Sequence, residues 1–230
     1  EARYPFGKYS TQAMLDISYA YYASNQKDEA IVEINRFIRL YPNHSNVSYA
    51  YYLRALSNFD KDANVISRFF GHDPSRYDVT DLKNSFNDFT TVVNRFPDSK
   101  YADDSINRLR YIKNQIARNE LYIAKYYDKR SANIATIERV KFMLENYGGT
   151  PSSEEGLIIL VKNYNDLKLY DLAYDSARVL KKNFPDYRII KKDGQVSVIK
   201  DKKIKVEDEF SESIENDSSW LNKLNPLNWF

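Results

Sequence analysis

The sequence predicts an all-α solenoid of antiparallel helix pairs that ends in a non-repeat C-terminal extension. Three observations carry that prediction. An aromatic residue followed by proline recurs at Tyr4-Pro5, Tyr41-Pro42, Phe96-Pro97 and Phe184-Pro185. Each pair closes a helical pattern, and small side chains and a tyrosine stand at fixed distances upstream of the closures. Proline cannot continue a helix and the residue before it avoids helical dihedrals, so each pair ends one helix and opens the turn to the next.

The spacing identifies the repeat. Ser18, Tyr21 and Ala30 lie 24, 21 and 12 residues before Pro42, and Val161, Tyr164 and Ala173 lie at the same distances before Pro185. Ala124, Tyr127 and Thr136 keep those distances from Gly148, which stands where a proline would. This is the tetratricopeptide pattern, with a period of about 34 residues. Small side chains at two of the positions let the helices of one hairpin approach closely, and the tyrosine is expected to pack across the neighbouring hairpin.

The irregularities divide the chain. Pro42 and Pro97 are 55 residues apart, well beyond one period, and Val65 to Val79 has the Gly, Asp and Pro content of a loop. An insertion is expected at about 59–78. Pro97 and Gly148 are 51 residues apart, so Tyr101 to Tyr126 reads as a long or broken helix with room for an extra one. The closure at Tyr4-Pro5 has no opening, so at least one further hairpin is expected upstream. N-terminal repeats are therefore expected at 1–97, C-terminal repeats at 98–187, and a charged extension with an apolar tail at 188–230. Within that extension Arg188 to Lys205 is basic and partly β-branched around Asp193-Gly194, which fits either a hairpin or a stretch without regular structure. Glu207 to Asp217 carries six acids and no base.

Composition excludes several functions. Lys and Arg number 34 against 32 Asp and Glu, so the field that would attract nucleic acid is missing and no nucleic-acid partner is expected. The chain has no cysteine, hence no disulfide and no thiolate metal site. Its longest clear apolar run, Leu157 to Val161, is far short of the roughly 20 residues that cross a bilayer. The six glycines include no phosphate-binding loop, and His44 and His72 lack partners at metal-ligand spacing. Asp103-Asp104 and Glu154-Glu155 lie in first helical turns, where carboxylates complement the helix dipole, and Ser152 with Glu155 reads as a capping box. No enzyme, cofactor or metal is expected.

Aromatics point instead to protein binding. The chain holds 20 Tyr and 12 Phe. Tyr19, Tyr21 and Tyr22, like Tyr49, Tyr51 and Tyr52, crowd successive first helices, and no helix of a thin solenoid buries three faces. Some of these rings are expected on a recognition surface, since tyrosine combines large area, few rotors and a polar tip.

Specific segments extend the pattern. Arg3-Tyr4-Pro5-Phe6-Gly7, Gln12-Ala13, Ala20-Tyr21-Tyr22, Arg36 to His44, Tyr49 to Arg54 and Arg68 to Asp73 occur in order, followed by Phe96 to Tyr101, Ala124 to Tyr127 and Arg139-Val140. Over about residues 3–187 this series resembles the BamD family of outer-membrane assembly lipoproteins, and departs from it at Gly148-Gly149 and beyond about Tyr187. The resemblance implies a scaffold at the periplasmic face of the outer membrane, anchored by a lipidated cysteine upstream of Glu1. It implies N-terminal repeats that receive unfolded barrel precursors, C-terminal repeats that hold the POTRA region of BamA, and BamC as a further partner in some lineages. A generic tetratricopeptide adaptor of another envelope or cytosolic complex is the alternative.

On that resemblance, Tyr19, Tyr22, Tyr52 and Arg54 are expected to line the precursor site, offering ring surface and a cation for a terminal carboxylate. Arg139 matches a family arginine facing BamA, and on sequence alone it fits equally a local pair with Glu138 or Glu145. In the tail, Trp220, Leu221, Leu224, Leu227, Trp229 and Phe230 follow the acidic stretch with no core of their own. Such an apolar segment is expected to dock on a partner or in a groove of its own chain, against the alternative of an end without a binding role.

Overall fold

A computed structural model of the chain describes residues 9–68 and 78–201. Eight helices and one β-hairpin occur among them, in two compact units that divide at Ile116 and Ala117.

The first unit contains α1 (Ser10–Ala23), α2 (Lys27–Leu40), α3 (Val47–Arg68), α4 (Thr80–Arg95) and the first half of α5 (Ala102–Asp128). Met14 and Leu15 of α1, Ala30, Ile34 and Phe37 of α2, and Ala50 and Leu53 of α3 form one buried cluster. The residues four and three apart within α2 place Ala30, Ile34 and Phe37 on one stripe, which is the apolar face the helix turns inward. Ser18 and Ala30 have no exposed surface, as the close approach of α1 and α2 requires. The Ser18 hydroxyl, buried there, donates to the Met14 carbonyl at 2.8 Å, which satisfies it without a second helix. Ser57 repeats the arrangement on α3 with Leu53, and Ser85 of α4 reaches across to the Ala55 carbonyl at 2.9 Å.

The second unit holds the rest of α5, then α6 (Asn133–Tyr147), α7 (Ser152–Asp166), α8 (Tyr170–Asn183), β1 (Tyr187–Lys192) and β2 (Gln195–Lys200). Ala124, Thr136 and Ala173 are fully buried and Val161 nearly so, as expected of small residues between paired helices. Gly156 lets α7 approach α6 closely: a Cβ there would lie 2.5 Å from Met143 Cε and 3.2 Å from Val140 Cγ1.

One turn serves three hairpins. Asn25, Ser131 and Lys168 each stand four residues after a repeat tyrosine and each takes a positive φ, 64°, 56° and 59°. In each, the following N–H (Gln26, Ala132, Leu169) bonds back to the carbonyl of Tyr21, Tyr127 or Tyr164, and the turn residue's own N–H bonds to the carbonyl one residue beyond that tyrosine. These paired bonds form a Schellman ending, which satisfies orphan carbonyls at the helix terminus. The recurrence places the three tyrosines in equivalent positions.

The hairpin reading of the basic stretch holds over residues 187–200. Asp193 and Gly194 both have positive φ, 52° and 83°, the condition for a two-residue turn between twisted strands. A lone hairpin is marginal in water, but this one is fastened to α7. Asn165 donates Nδ2 to the Val196 carbonyl at 2.6 Å and accepts the Val196 N–H on Oδ1 at 3.0 Å, so one amide side chain serves as a third strand. Val196 then joins Val161, Ala173 and Ala177 in a buried cluster.

Three expectations change. Val65 to Arg68, expected as loop, are helical, because α3 continues to Arg68. Tyr101 to Tyr126 holds no break and no extra helix: α5 is continuous over 27 residues. Ser152 caps nothing, since it is already the first residue of α7, behind Pro151, and makes no capping bond; Glu155 pairs instead with Lys125 of α5. The segments at Tyr4-Pro5 and 69–77 lie outside the described residues.

Candidate protein-binding face

In the first unit, α1, α3 and α5 contribute rings to one network. Tyr52 stacks on Tyr101 with centroids 4.8 Å apart, Tyr49 lies 5.5 Å from the same ring, and Phe89 of α4 meets Tyr52 edge-on at 5.9 Å. Phe59 meets Tyr111 edge-on at 5.9 Å, and Tyr19 lies 6.4 Å from Tyr22. Separations of 4.5–7 Å are those at which ring quadrupoles attract. Tyr19 and Tyr111 are about half exposed, so the network continues into a surface.

Carboxylates and cations fix the phenols. Tyr22 donates to Asp60 Oδ2 at 2.6 Å, with the Lys27 ammonium 3.5 Å above its ring. Tyr52 donates to Asp104 Oδ2 at 2.7 Å, and Arg108 Nε donates to the same oxygen at 2.6 Å. The Arg108 guanidinium lies 5.3 Å over Phe59, close enough for a cation–π contact. Burial, then the hydrogen bond to Asp104, pushes the Tyr52 hydroxyl up to about 12, and burial raises Tyr49 likewise to about 12. Burial and the bond to Asp60 raise Tyr22 further in the same direction. These phenols are neutral donors throughout the physiological range. Burial opposes the Asp104 charge, but the bonds from Arg108 and Tyr52 outweigh it and hold the carboxyl below the usual range.

The sequence-derived residues divide. Tyr19, Tyr22 and Tyr52 belong to this network. Arg54 does not: it forms a two-pronged pair with Asp88 of α4, Nε to Oδ2 at 2.8 Å and Nη2 to Oδ1 at 2.5 Å, and gives Nη1 to Asn35 of α2. Two positions along a helix turn a side chain by about 200°, so Tyr52 faces α5 while Arg54 faces α2 and α4. Arg108, which is not among the sequence-derived residues, is the cation that shares Asp104 with Tyr52. Its signal was available, because Asp104, Arg108 and Tyr111 fall at helical spacing on one face of α5, with Tyr101 immediately before the helix.

In the second unit Arg139 pairs with neither Glu138 nor Glu145. Its Nη1 donates to Glu120 Oε2 of α5 at 2.9 Å, and its side chain keeps 37% of its surface exposed. The same helix exposes Ile134 and Phe142, eight residues apart on one face. The tail residues Trp220, Leu221, Leu224, Leu227, Trp229 and Phe230 lie outside the described residues.

Among the described residues no helix is long and apolar enough to cross a membrane, and no group of three His, Asp or Glu could hold a metal ion.

Comparison with known proteins gives one family. The profile described as YfiO, outer membrane lipoprotein, matches residues 1–180. The chain is 38% identical over 190 residues to the outer membrane protein assembly factor BamD of Xylella fastidiosa strain Temecula1, covering 83% of this chain and 65% of that protein. It thus spans slightly less than two thirds of that relative's length. It is 40% identical over 185 residues to BamD of Neisseria gonorrhoeae, covering 80% and 69% of the two chains, and 35% identical over 181 residues to BamD of Haemophilus influenzae, covering 79% and 69%. These relatives are named as assembly factors rather than as enzymes.

Proposed function

Because the chain belongs to the YfiO family of outer-membrane lipoproteins, we propose that it is a scaffold of β-barrel assembly at the periplasmic face of the outer membrane, held there by a lipid anchor. The first unit receives unfolded barrel precursors and the second holds the POTRA region of BamA, with BamC a further partner in some lineages. The observation that carries this reading is the set of rings on α1, α3 and α5, in which Tyr22 is fixed by Asp60, Tyr52 by Asp104 and its partner Arg108, and half-exposed Tyr19 lies against Tyr22.

An extended precursor segment alternates apolar and polar residues. Exposed rings take its apolar side chains, and neutral phenols and fixed charges take its backbone and terminal carboxylate. Rigid rings lose little rotamer entropy on binding, which suits a site that accepts many sequences. In the second unit Glu120 holds one edge of Arg139 while a third of that side chain stays accessible, so the arginine is preset as a cation for an acidic partner surface. Exposed Ile134 and Phe142 supply apolar contact on the same helix.

Affinity purification of the full chain from envelope membranes, followed by mass spectrometry, tests the reading. Recovery of BamA with barrel precursors is expected. Recovery of an unrelated complex without BamA would reject it in favour of a generic adaptor.

A further inference from the structure

Two grooves adjoin along α8, and their order matches the order of the chain that follows. The first, of about 740 Å³ between α8 and β1, is lined by Tyr174, Lys181, Lys182, Ile189 and Arg178, which pairs with Asp175 at 3.2 Å, and the Lys191 ammonium lies 3.2 Å over the Tyr174 ring. Lys181 and Lys182 are exposed at the C-terminal end of α8. The second, of about 260 Å³, is apolar and lies between α6, α7 and α8, lined by Leu144, Leu157, Leu160, Tyr164 and Leu172. Asp175 and Val179 line both, so the grooves form one path from the C-terminal toward the N-terminal end of α8.

The chain leaves the hairpin at the start of that path. Asp201 N–H bonds to the Asp186 carbonyl at 2.7 Å, and its carboxylate pairs with Arg188 at 2.6 Å, just past the end of α8. The six acids of Glu207–Asp217 follow, then Trp220, Leu221, Leu224, Leu227, Trp229 and Phe230. Basic groove then apolar groove meets acidic segment then apolar segment.

We propose that residues 207–230 dock on their own chain along α8, the acidic segment over Arg178, Lys181 and Lys182 and the apolar segment in the groove beside Leu160 and Leu172. Five residues separate Asp201 from Glu207, a reach of about 20 Å when extended, and Asp201 is bonded to Asp186, four residues past Lys182. A tether this short gives an effective concentration in the millimolar range, so modest contacts suffice to hold the segment. Lys181 and Lys182 also complement the α8 dipole, but that role needs no apolar groove beside them. Docking covers the exposed Leu172 and leaves a face that an acidic, aromatic-bearing partner would have to compete for.

Both tryptophans of the chain, Trp220 and Trp229, lie in this segment, so tryptophan emission, excited at the red edge where the 20 tyrosines do not absorb, reports it alone. The full chain is compared with Lys181→Glu/Lys182→Glu and with Leu172→Glu, all at exposed positions. The native chain is expected to emit to the blue of the urea-unfolded chain and to resist acrylamide quenching at least twofold better, at every protein concentration. Each variant should shift emission to the red and raise quenching about twofold while its helical circular dichroism stays unchanged. Native tryptophans as accessible as unfolded ones would overturn the proposal. So would variants that leave emission unmoved, or a blue shift that appears only on raising concentration, which would mean a second copy is the occupant.

Discussion

Arg139 Nη1 donates a hydrogen bond to Glu120 Oε2 at 2.9 Å, tying α6 to a carboxylate of α5 that has no exposed surface. Reversing the arginine brings two carboxylates together beside a buried site. A wholly buried broken pair costs about 3–5 kcal/mol, and because Arg139 is itself over a third exposed we expect Arg139→Glu to cost about 1–3 kcal/mol. The urea midpoint measures it. The variant therefore loses stability as well as any partner, so a copurification test at this position needs Arg139→Lys, which keeps the charge, beside it.

Lys168 sits at φ 59° in the Schellman turn between α7 and α8, exposed and held by backbone bonds alone. The left-handed conformation costs a side-chain-bearing residue about 1–2 kcal/mol, of which glycine's extra unfolded freedom takes back roughly 0.5–1. Lys168→Gly is expected to stabilise by a few tenths to about 1 kcal/mol, visible as a small rise in melting temperature. A fall would mean that the side chain contributes something the turn geometry does not reveal.

The ammonium of Lys113 on α5 is 6% exposed, and burial pushes its pKa down to about 8. Between about pH 8 and its unfolded value near 10.4, the unfolded chain binds the proton and the folded chain does not, so this residue makes stability rise with pH over that window. At pH 7 the same residue is a penalty. Lys113→Met is expected to stabilise by about 1–3 kcal/mol at pH 7 and to abolish the rise, read from urea midpoints at pH 7 and 9. Equal pH slopes for the two chains would exclude the burial argument.

Asn165 satisfies both backbone groups of Val196. Asn165→Leu leaves those groups without their partner and should cost about 1–3 kcal/mol, with faster amide exchange confined to β1 and β2. Exchange spread over α7 and α8 would mean that the hairpin is part of the unit's core rather than an element fastened to it.

The repeat was legible because its signals are backbone constraints. Tyr41-Pro42, Phe96-Pro97 and Phe184-Pro185 stop helices locally, and Ser18, Ala30, Thr136 and Ala173 mark close approaches that larger side chains forbid. The hairpin was half legible: Asp193-Gly194 specified its turn, whereas its anchor, Asn165, is 31 residues from Val196 and leaves no local pattern. Continuity of α5 was one of two open readings, because the excess length over one period is equally met by one long helix or two short ones. The face that Arg54 takes is not legible for a related reason. Arg54 is adjacent in sequence to the tyrosines of α3, but which face it takes depends on Asp88, 34 residues away. Arg108 and Asp104 were legible as a helical stripe but not as partners of Tyr52.

On the proposed function, the face built by α1, α3 and α5 receives the precursor. A photoreactive phenylalanine analogue at Tyr19, which is 54% exposed on that face, tests it most directly against the same analogue at Val32 of α2, which is 64% exposed. Each full-length protein is irradiated with a labelled peptide that alternates apolar and polar residues and ends in an aromatic residue with a free carboxylate. Strong crosslinking from position 19, weakened severalfold by Arg108→Gln with the variant's helical circular dichroism retained at the assay temperature, and background labelling from position 32, is the predicted result. Labelling from position 32 equal to or above that from position 19 would contradict the account.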